Sequence, residues 1–236
     1  MAGMKRRNVL LLGGLVAVAA GWQAFGVRGS RLELLPMVQL PGWRFASVGG
    51  VSGLSSADYL TIGLSDTPDP LAPARIDSVV HADASPGAVP VAIFSDFFCP
   101  YCRGLVGRMR ARTQGPKISI TWHELPLLGP ASVLAAKAAV AAGLQGGYAD
   151  FYVQLLKDGF KPSRGWMADV ATAAGLDGTR LASDMEGPEV IGKLDRSARA
   201  ASTLGFFGTP GIVIGKDAVL GALEKDLMED LIADWA

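Results

Sequence analysis

Val89-Pro90-Val91-Ala92-Ile93-Phe94-Ser95-Asp96-Phe97-Phe98-Cys99-Pro100-Tyr101-Cys102 is the stretch that decides this chain. The apolar run Val89–Phe94 reads as a buried strand. Arg103-Gly104-Leu105-Val106-Gly107-Arg108-Met109-Arg110 follows the cysteines and reads as the opening of a helix. The chain has two cysteines, and both lie here, in a Cys-x-x-Cys spacing at a strand-to-helix junction. Such a junction places the first sulfur at a helix N-terminus. There the unpaired backbone N–H groups and the positive end of the dipole stabilise a thiolate. The thiolate is the attacking species in thiol–disulfide exchange, so redox chemistry is the leading reading of the pair.

Three blander readings compete with it. Two cysteines can be core filler, but chance rarely sets them around Pro-Tyr directly after a strand. Zinc needs four ligands, and the two histidines of the chain, His81 and His123, are far from paired ligand spacing; no metal is expected. A static disulfide would close a very short loop and restrict the unfolded chain little.

Outward from the cysteines, the periodicity predicts strand–helix–strand, a helical block, then strand–strand–helix. The first helix should run to about Thr113, with a stop at Gln114-Gly115-Pro116, and Ile118–Trp122 alternates as a second strand. That βαβ unit should pair in parallel with a right-handed crossover. Ala131–Ala142, Asp150–Lys157, Trp166–Ala174 and Glu189–Thr203 read as helices. Ala131–Ala142 carries one charge, Lys137, and should be buried on both faces. Ile212–Ile214 and Ala218–Gly221 form a hairpin around Gly215-Lys216-Asp217, and Leu223–Trp235 closes the chain as an amphipathic helix.

The N-terminal third differs in character. Residues 1–31 read as a signal anchor or signal peptide. Lys5-Arg6-Arg7 is a basic flank, and Asn8–Val27 is uncharged and mostly apolar. Such a run is about 30 Å long as a helix, enough to span a bilayer. The preferred reading is an uncleaved anchor through residues 8–27; cleavage after Ala20 is the alternative, and the basic flank weakly resembles a twin-arginine signal. Either route puts the body in a periplasmic or otherwise extracytoplasmic, oxidising compartment. Residues 32–88 read as a spacer with short β-strands at Trp43–Phe45 and Tyr59–Leu64, broken at Asp66–Pro70. Residues 89–236 are the main domain, with a helical insertion over about 130–204. The 22 basic and 22 acidic side chains balance, which gives no electrostatic footprint for nucleic acid.

Three segments resemble the DsbA-like branch of thioredoxin-fold disulfide oxidoreductases. Phe94–Cys102 resembles that family's active-site strand and redox motif. His123-Glu124-Leu125-Pro126-Leu127-Leu128-Gly129-Pro130 is similar to its lead into an inserted helical domain. Gly208-Thr209-Pro210 is similar to its cis-proline loop. The resemblance covers about 85–235. It implies an α/β thioredoxin-like fold with a helical insertion capping the site, and no cofactor. It also implies action on the cysteines of exported proteins, with a membrane or soluble redox partner that recycles the pair. In such a motif Cys99 is the nucleophile and the more exposed thiol, and Cys102 is the resolving thiol. Pro100, Tyr101, Thr209 and Pro210 shape the site. Asp96 and Glu124, at the ends of two converging strands, are candidate proton acceptors for Cys102; solvated strand-end carboxylates are the alternative. His123 can face either way, and Arg103 reads as a surface charge.

The direction of electron flow stays open. The family's best-known oxidases carry His where this chain has Tyr101, and Tyr occurs in oxidases and isomerases alike. Thr before the cis-proline is shared in the same way. A dithiol oxidase of exported proteins is the first expectation, because no dimerisation module is evident. A disulfide isomerase or reductase is the second. A tethered metal chaperone is a third, poorly supported without a Met/His cluster. A glutathione-binding transferase is a fourth, which an export signal fits badly.

Overall fold

The computed structural model describes residues 32–53, 69–112, 115–157 and 163–236. The expected anchor at 8–27, the β-like piece Tyr59–Leu64 and the stop at Gln114 lie outside them. Among the described residues no helix is long and apolar enough to cross a membrane.

Leu34–Ala236 pack as one unit. Its strands are β1 (Leu35–Pro36), β2 (Arg44–Ser47), β3 (Val89–Ser95), β4 (Ile118–Glu124), β5 (Gly211–Ile214) and β6 (Asp217–Leu220). Its helices are α1 (Pro73–Val80), α2 (Pro100–Ala111), α3 (Pro130–Gly143), α4 (Tyr148–Lys157), α5 (Arg164–Ala173), α6 (Gly178–Asp184), α7 (Pro188–Leu204) and α8 (Lys225–Asp234). The six strands form one sheet in the order β1-β2-β6-β5-β3-β4. β3 runs parallel to β4, as the βαβ pattern predicts, and antiparallel to β5; β5 and β6 form the expected hairpin. β2 joins the far side of that hairpin, parallel to β6. The fold is the thioredoxin-like α/β arrangement that the resemblance implies.

Alternation along the central strands assigns the two faces. Ala92 and Phe94 of β3 meet Ile76 and Val80 of α1 and Ala200, Ala201 and Leu204 of α7 in one apolar cluster. A second cluster is built from α3 to α7 and reaches Phe97 and Val106 beside the cysteines. Ala135 and Ala138–Ala142 are buried there, and Ala136 is buried as well. Small side chains let α3 lie at the middle of the insertion, which is why the segment bears almost no charge.

Two helices escape the periodicity. α1 is eight residues long and has no side-chain cap; its sequence signal is Pro73 at the first turn. α6 is seven residues long, and its signal is Asp177, whose carboxylate accepts the Arg180 N–H at 2.9 Å. α6 is too short to show a periodic apolar face, and α1 shows one i, i+3, i+4 set, Ile76, Val79 and Val80, less than the two turns that a periodicity reading needs.

Candidate redox site

β3 ends at Ser95, and the chain turns through Asp96-Phe97-Phe98 into α2. Cys99 is the N-cap of that helix, with extended backbone, and Pro100 occupies the first turn, where its missing N–H costs nothing. The turn is closed by the Cys99 N–H, which donates to the Asp96 carbonyl at 3.0 Å. The Cys102 N–H donates to the Cys99 carbonyl at 3.2 Å. Both cysteines are free thiols.

Their ionisation differs sharply. The Cys99 thiol is lowered from 9.0 to about 6, first by the hydrogen bond from Cys102, then by the Thr209 hydroxyl, the Cys102 backbone and the Ser52 hydroxyl, against the cost of burial. The Cys102 thiol is pushed far up, mainly by burial and then by its neighbour Cys99. The pair therefore holds one negative charge at the N-cap sulfur and one proton on the deeper sulfur.

The β-sheet brings the proline loop to this pair. Antiparallel pairing sets Gly211 opposite Phe94, so the residues before β5 lie beside the residues after β3. The Thr209–Pro210 peptide is cis. The Cys99 sulfur lies 3.4 Å from the Thr209 carbonyl oxygen, which the protonated thiol can use as an acceptor and the thiolate cannot. Tyr101 is 45 % exposed at the rim.

One expectation is corrected. Cys99 is not the more exposed thiol, because neither cysteine has any exposed surface. Residues 48–53 lie over the site, and Ser52 forms an antiparallel bridge with Thr209. Ser52 was not singled out by the sequence. It sits in Val48-Gly49-Gly50-Val51-Ser52-Gly53, where no spacing of reactive side chains marks it.

The two candidate acids separate. Asp96 is fully buried, and its carboxylate accepts four hydrogen bonds: Phe98 N–H (2.8 Å), Leu127 N–H (2.8 Å), Leu128 N–H (3.1 Å) and the Ser132 hydroxyl (2.8 Å). It pins the active-site turn to the β4–α3 connection. Glu124, opposite Ser95 in the β3–β4 register, accepts a short hydrogen bond from the Tyr148 hydroxyl. Its Oε2 has no partner among the described residues. Burial raises Glu124 to about 8, opposed by the Tyr148 hydrogen bond. Burial, then the neighbouring Glu124, raises the hydroxyls of both Tyr148 and Tyr152, with Cys102 a smaller cause. Neither Tyr148 nor Tyr152 was singled out from the sequence, since aromatic residues on a helix read first as core.

Alternation decides the other open orientations. Trp122 stacks on Tyr148, on the side of the insertion. His123 points the opposite way, stacks on Phe94, and bonds the Ser197 hydroxyl at 2.9 Å and the Val80 carbonyl at 3.0 Å. It is a core histidine, lowered to about 4 by burial. Arg103 is exposed, bonds the Phe97 carbonyl at 3.2 Å and lies over the Phe97 ring.

A thioredoxin-like sheet that ends in such an unequal thiol pair defines a class, the thiol:disulfide oxidoreductases. The sequence model of the DSBA-like thioredoxin domain matches residues 90–233. The chain belongs to that family, and it is a thiol:disulfide oxidoreductase. A thioredoxin-like oxidoreductase from Silicibacter pomeroyi DSS-3 is 33% identical, with 66% of this chain and 95% of that one covered and a TM-score of 0.57. The thiol-disulfide exchange protein alpha-DsbA2 from Wolbachia pipientis is 19% identical over 78% of this chain and 100% of that one, with a TM-score of 0.61. A periplasmic thioredoxin-like protein from Salmonella enterica serovar Typhimurium is 21% identical over 67% of this chain and 94% of that one, with a TM-score of 0.54. These last two likenesses concern the fold. No curated protein matches the sequence.

Proposed function

We propose that this protein oxidises thiols of exported proteins, handing its Cys99–Cys102 disulfide to them. A substrate thiolate attacks the Cys99 sulfur, and the Cys99–Cys102 bond breaks. Cys102 leaves with the electron pair and takes a proton. The second substrate thiolate then attacks the substrate sulfur of the mixed disulfide, and Cys99 leaves as a thiolate. The substrate gains a disulfide, and the protein keeps two electrons on the reduced pair. A redox partner, membrane-bound or soluble, removes them. In that recycling step Cys102 must lose its proton to attack, and Glu124 is the acceptor we assign; Asp96, with its four hydrogen bonds, serves as the brace of the turn.

The observation that carries the proposal is the Cys99 thiol held at about 6 beside a protonated Cys102. A low-pKa thiolate is a good leaving group, and stabilising it favours the reduced state, which makes the disulfide more oxidising. Tyr101 and Thr209 shape the approach to Cys99. The apolar run at residues 8–27 supports an anchor that holds the body outside the cytoplasm. N-terminal sequencing of the membrane fraction tests that placement; a mature chain that begins near Gly21 would show a cleaved signal.

Equilibration of the Cys99–Cys102 pair with glutathione tests the direction. A potential well above that of thioredoxin, roughly −270 mV, with weak insulin reduction, is the expected result. A potential near that value together with strong rescue of a scrambled substrate would identify an isomerase or reductase.

A further inference from the structure

The segment that buries Cys99 is held along its length. The Val48 N–H donates to the Leu220 carbonyl at 2.8 Å, so the chain leaves β2 along the end of β6. The Ala222 N–H then donates to the Gly49 and Gly50 carbonyls at 3.0 and 3.2 Å. Next, Ser52 and Thr209 exchange both of their backbone hydrogen bonds: Ser52 N–H to Thr209 O at 2.8 Å, and Thr209 N–H to Ser52 O at 2.7 Å. The fit is close on every side. A Cβ at Gly208 would lie 2.3 Å from Val51 Cγ1 and 2.8 Å from the Ser52 carbonyl oxygen. A Cβ at Gly50 would lie 3.1 Å from the Tyr101 ring, and one at Gly53 would lie 2.8 Å from Leu127 Cδ1.

Exchange with a protein substrate needs a substrate sulfur against the Cys99 sulfur. It also needs something to hold the flanking backbone. A residue with an unpaired N–H and C=O at the edge of a sheet does this by strand addition, in which main-chain hydrogen bonds supply the affinity. Thr209 lies next to Cys99 by its 3.4 Å contact, and the N–H and C=O that it would offer to such a strand are both taken by Ser52. Serine differs from cysteine by one atom, oxygen for sulfur. The Ser52 hydroxyl is also one of the groups that act on the Cys99 thiol.

We propose that Gly49–Gly53 is a built-in substitute for substrate: it holds the Thr209 edge as an extended cysteine-bearing segment would, with Ser52 in the place of the substrate cysteine. Substrates of this protein are then extended segments that enter by displacing residues 49–53. The proposal rests on the oxidoreductase reading of the site but not on the direction of electron flow.

Two variants test it in the full chain. In Ser52→Cys combined with Cys102→Ser, oxidised glutathione should join the introduced thiol to Cys99. The two thiols lose two hydrogens and two electrons, and one glutathione disulfide becomes two glutathione thiols. Non-reducing peptide mapping should find the link between positions 52 and 99 as the main product, and a Ser47→Cys control in the same background should not give its counterpart. Recovery of the introduced thiol and Cys99 mainly as separate glutathione adducts would overturn the proposal. In Ser52→Pro the N–H to Thr209 is lost. One hydrogen bond of ordinary net strength corresponds to about fivefold, so iodoacetamide should alkylate Cys99 about fivefold faster at pH 7. An extended cysteine peptide should likewise be engaged about fivefold more readily. Equal rates in the wild type and the variant would overturn the proposal. If the link forms and alkylation accelerates while neither protein oxidises dithiols, the substitute segment stands and the oxidant reading fails.

Discussion

Removing the Cys102 sulfur should undo much of the acidity of Cys99. The Cys99 thiol lies at about 6 rather than 9.0, and its largest cause is the hydrogen bond from Cys102. That difference is about a thousandfold in ionisation, or ~4 kcal/mol. A hydrogen bond to a charged acceptor contributes about 1.5–3 kcal/mol, a factor of roughly ten to a hundred. Cys102→Ala is therefore expected to move Cys99 up to about 7–8. Cys102→Ser keeps a donor at the same place and should leave Cys99 near its present value. The sign is fixed by linkage: the depressed thiol stabilises the reduced state fully above pH 9, and that stabilisation is lost as pH falls through about 6. At pH 7 the gain is about tenfold, ~1.4 kcal/mol, or about 30 mV for the two-electron couple. The measurement is the ultraviolet absorbance of the thiolate against pH, checked by the pH dependence of alkylation. A Cys102→Ala midpoint still near 6 would refute the reasoning and assign the low pKa to the helix start, Thr209 and Ser52.

Other expected outcomes follow from the buried acids and the core histidine. Glu124 is raised to about 8 in the fold, so its burial costs stability progressively as pH rises from about 4.5 to 8. Glu124→Gln, which still accepts from Tyr148, should stabilise the protein by ~2–4 kcal/mol at pH 8 and hardly at all at pH 4.5, read by urea unfolding, while slowing recycling of the reduced pair; equal stability at both pH values would contradict this. Asp96→Asn should destabilise by ~2–4 kcal/mol, because an amide cannot accept all four of the hydrogen bonds that the carboxylate receives; a denaturation midpoint unchanged from wild type would count against its role as a brace. His123, lowered to about 4, should make the fold lose stability as pH falls from 6.5 toward 4, and His123→Gln should flatten that loss.

Much of this protein is legible one residue after another. The apolar run Val89–Phe94, the Cys-x-x-Cys after it and the βαβ pattern mark the strand, the helix and the parallel pair, because each depends on local periodicity and on what a helix N-terminus does to a thiol. The acids Asp96 and Glu124 are visible as strand-end carboxylates. What separates them is not local: Asp96 is surrounded by donors from the β4–α3 connection and α3, whereas Glu124 meets one tyrosine from α4. His123 is a residue of undetermined face until Phe94, Ser197 and Val80 close around it. Ser52 lies far along the chain from Thr209, in a glycine-rich stretch whose composition carries no chemistry. The covering of Cys99 is decided by tertiary structure alone, because backbone hydrogen bonds between distant segments use N–H and C=O groups that nearly every residue possesses, and so leave no mark on residue identity.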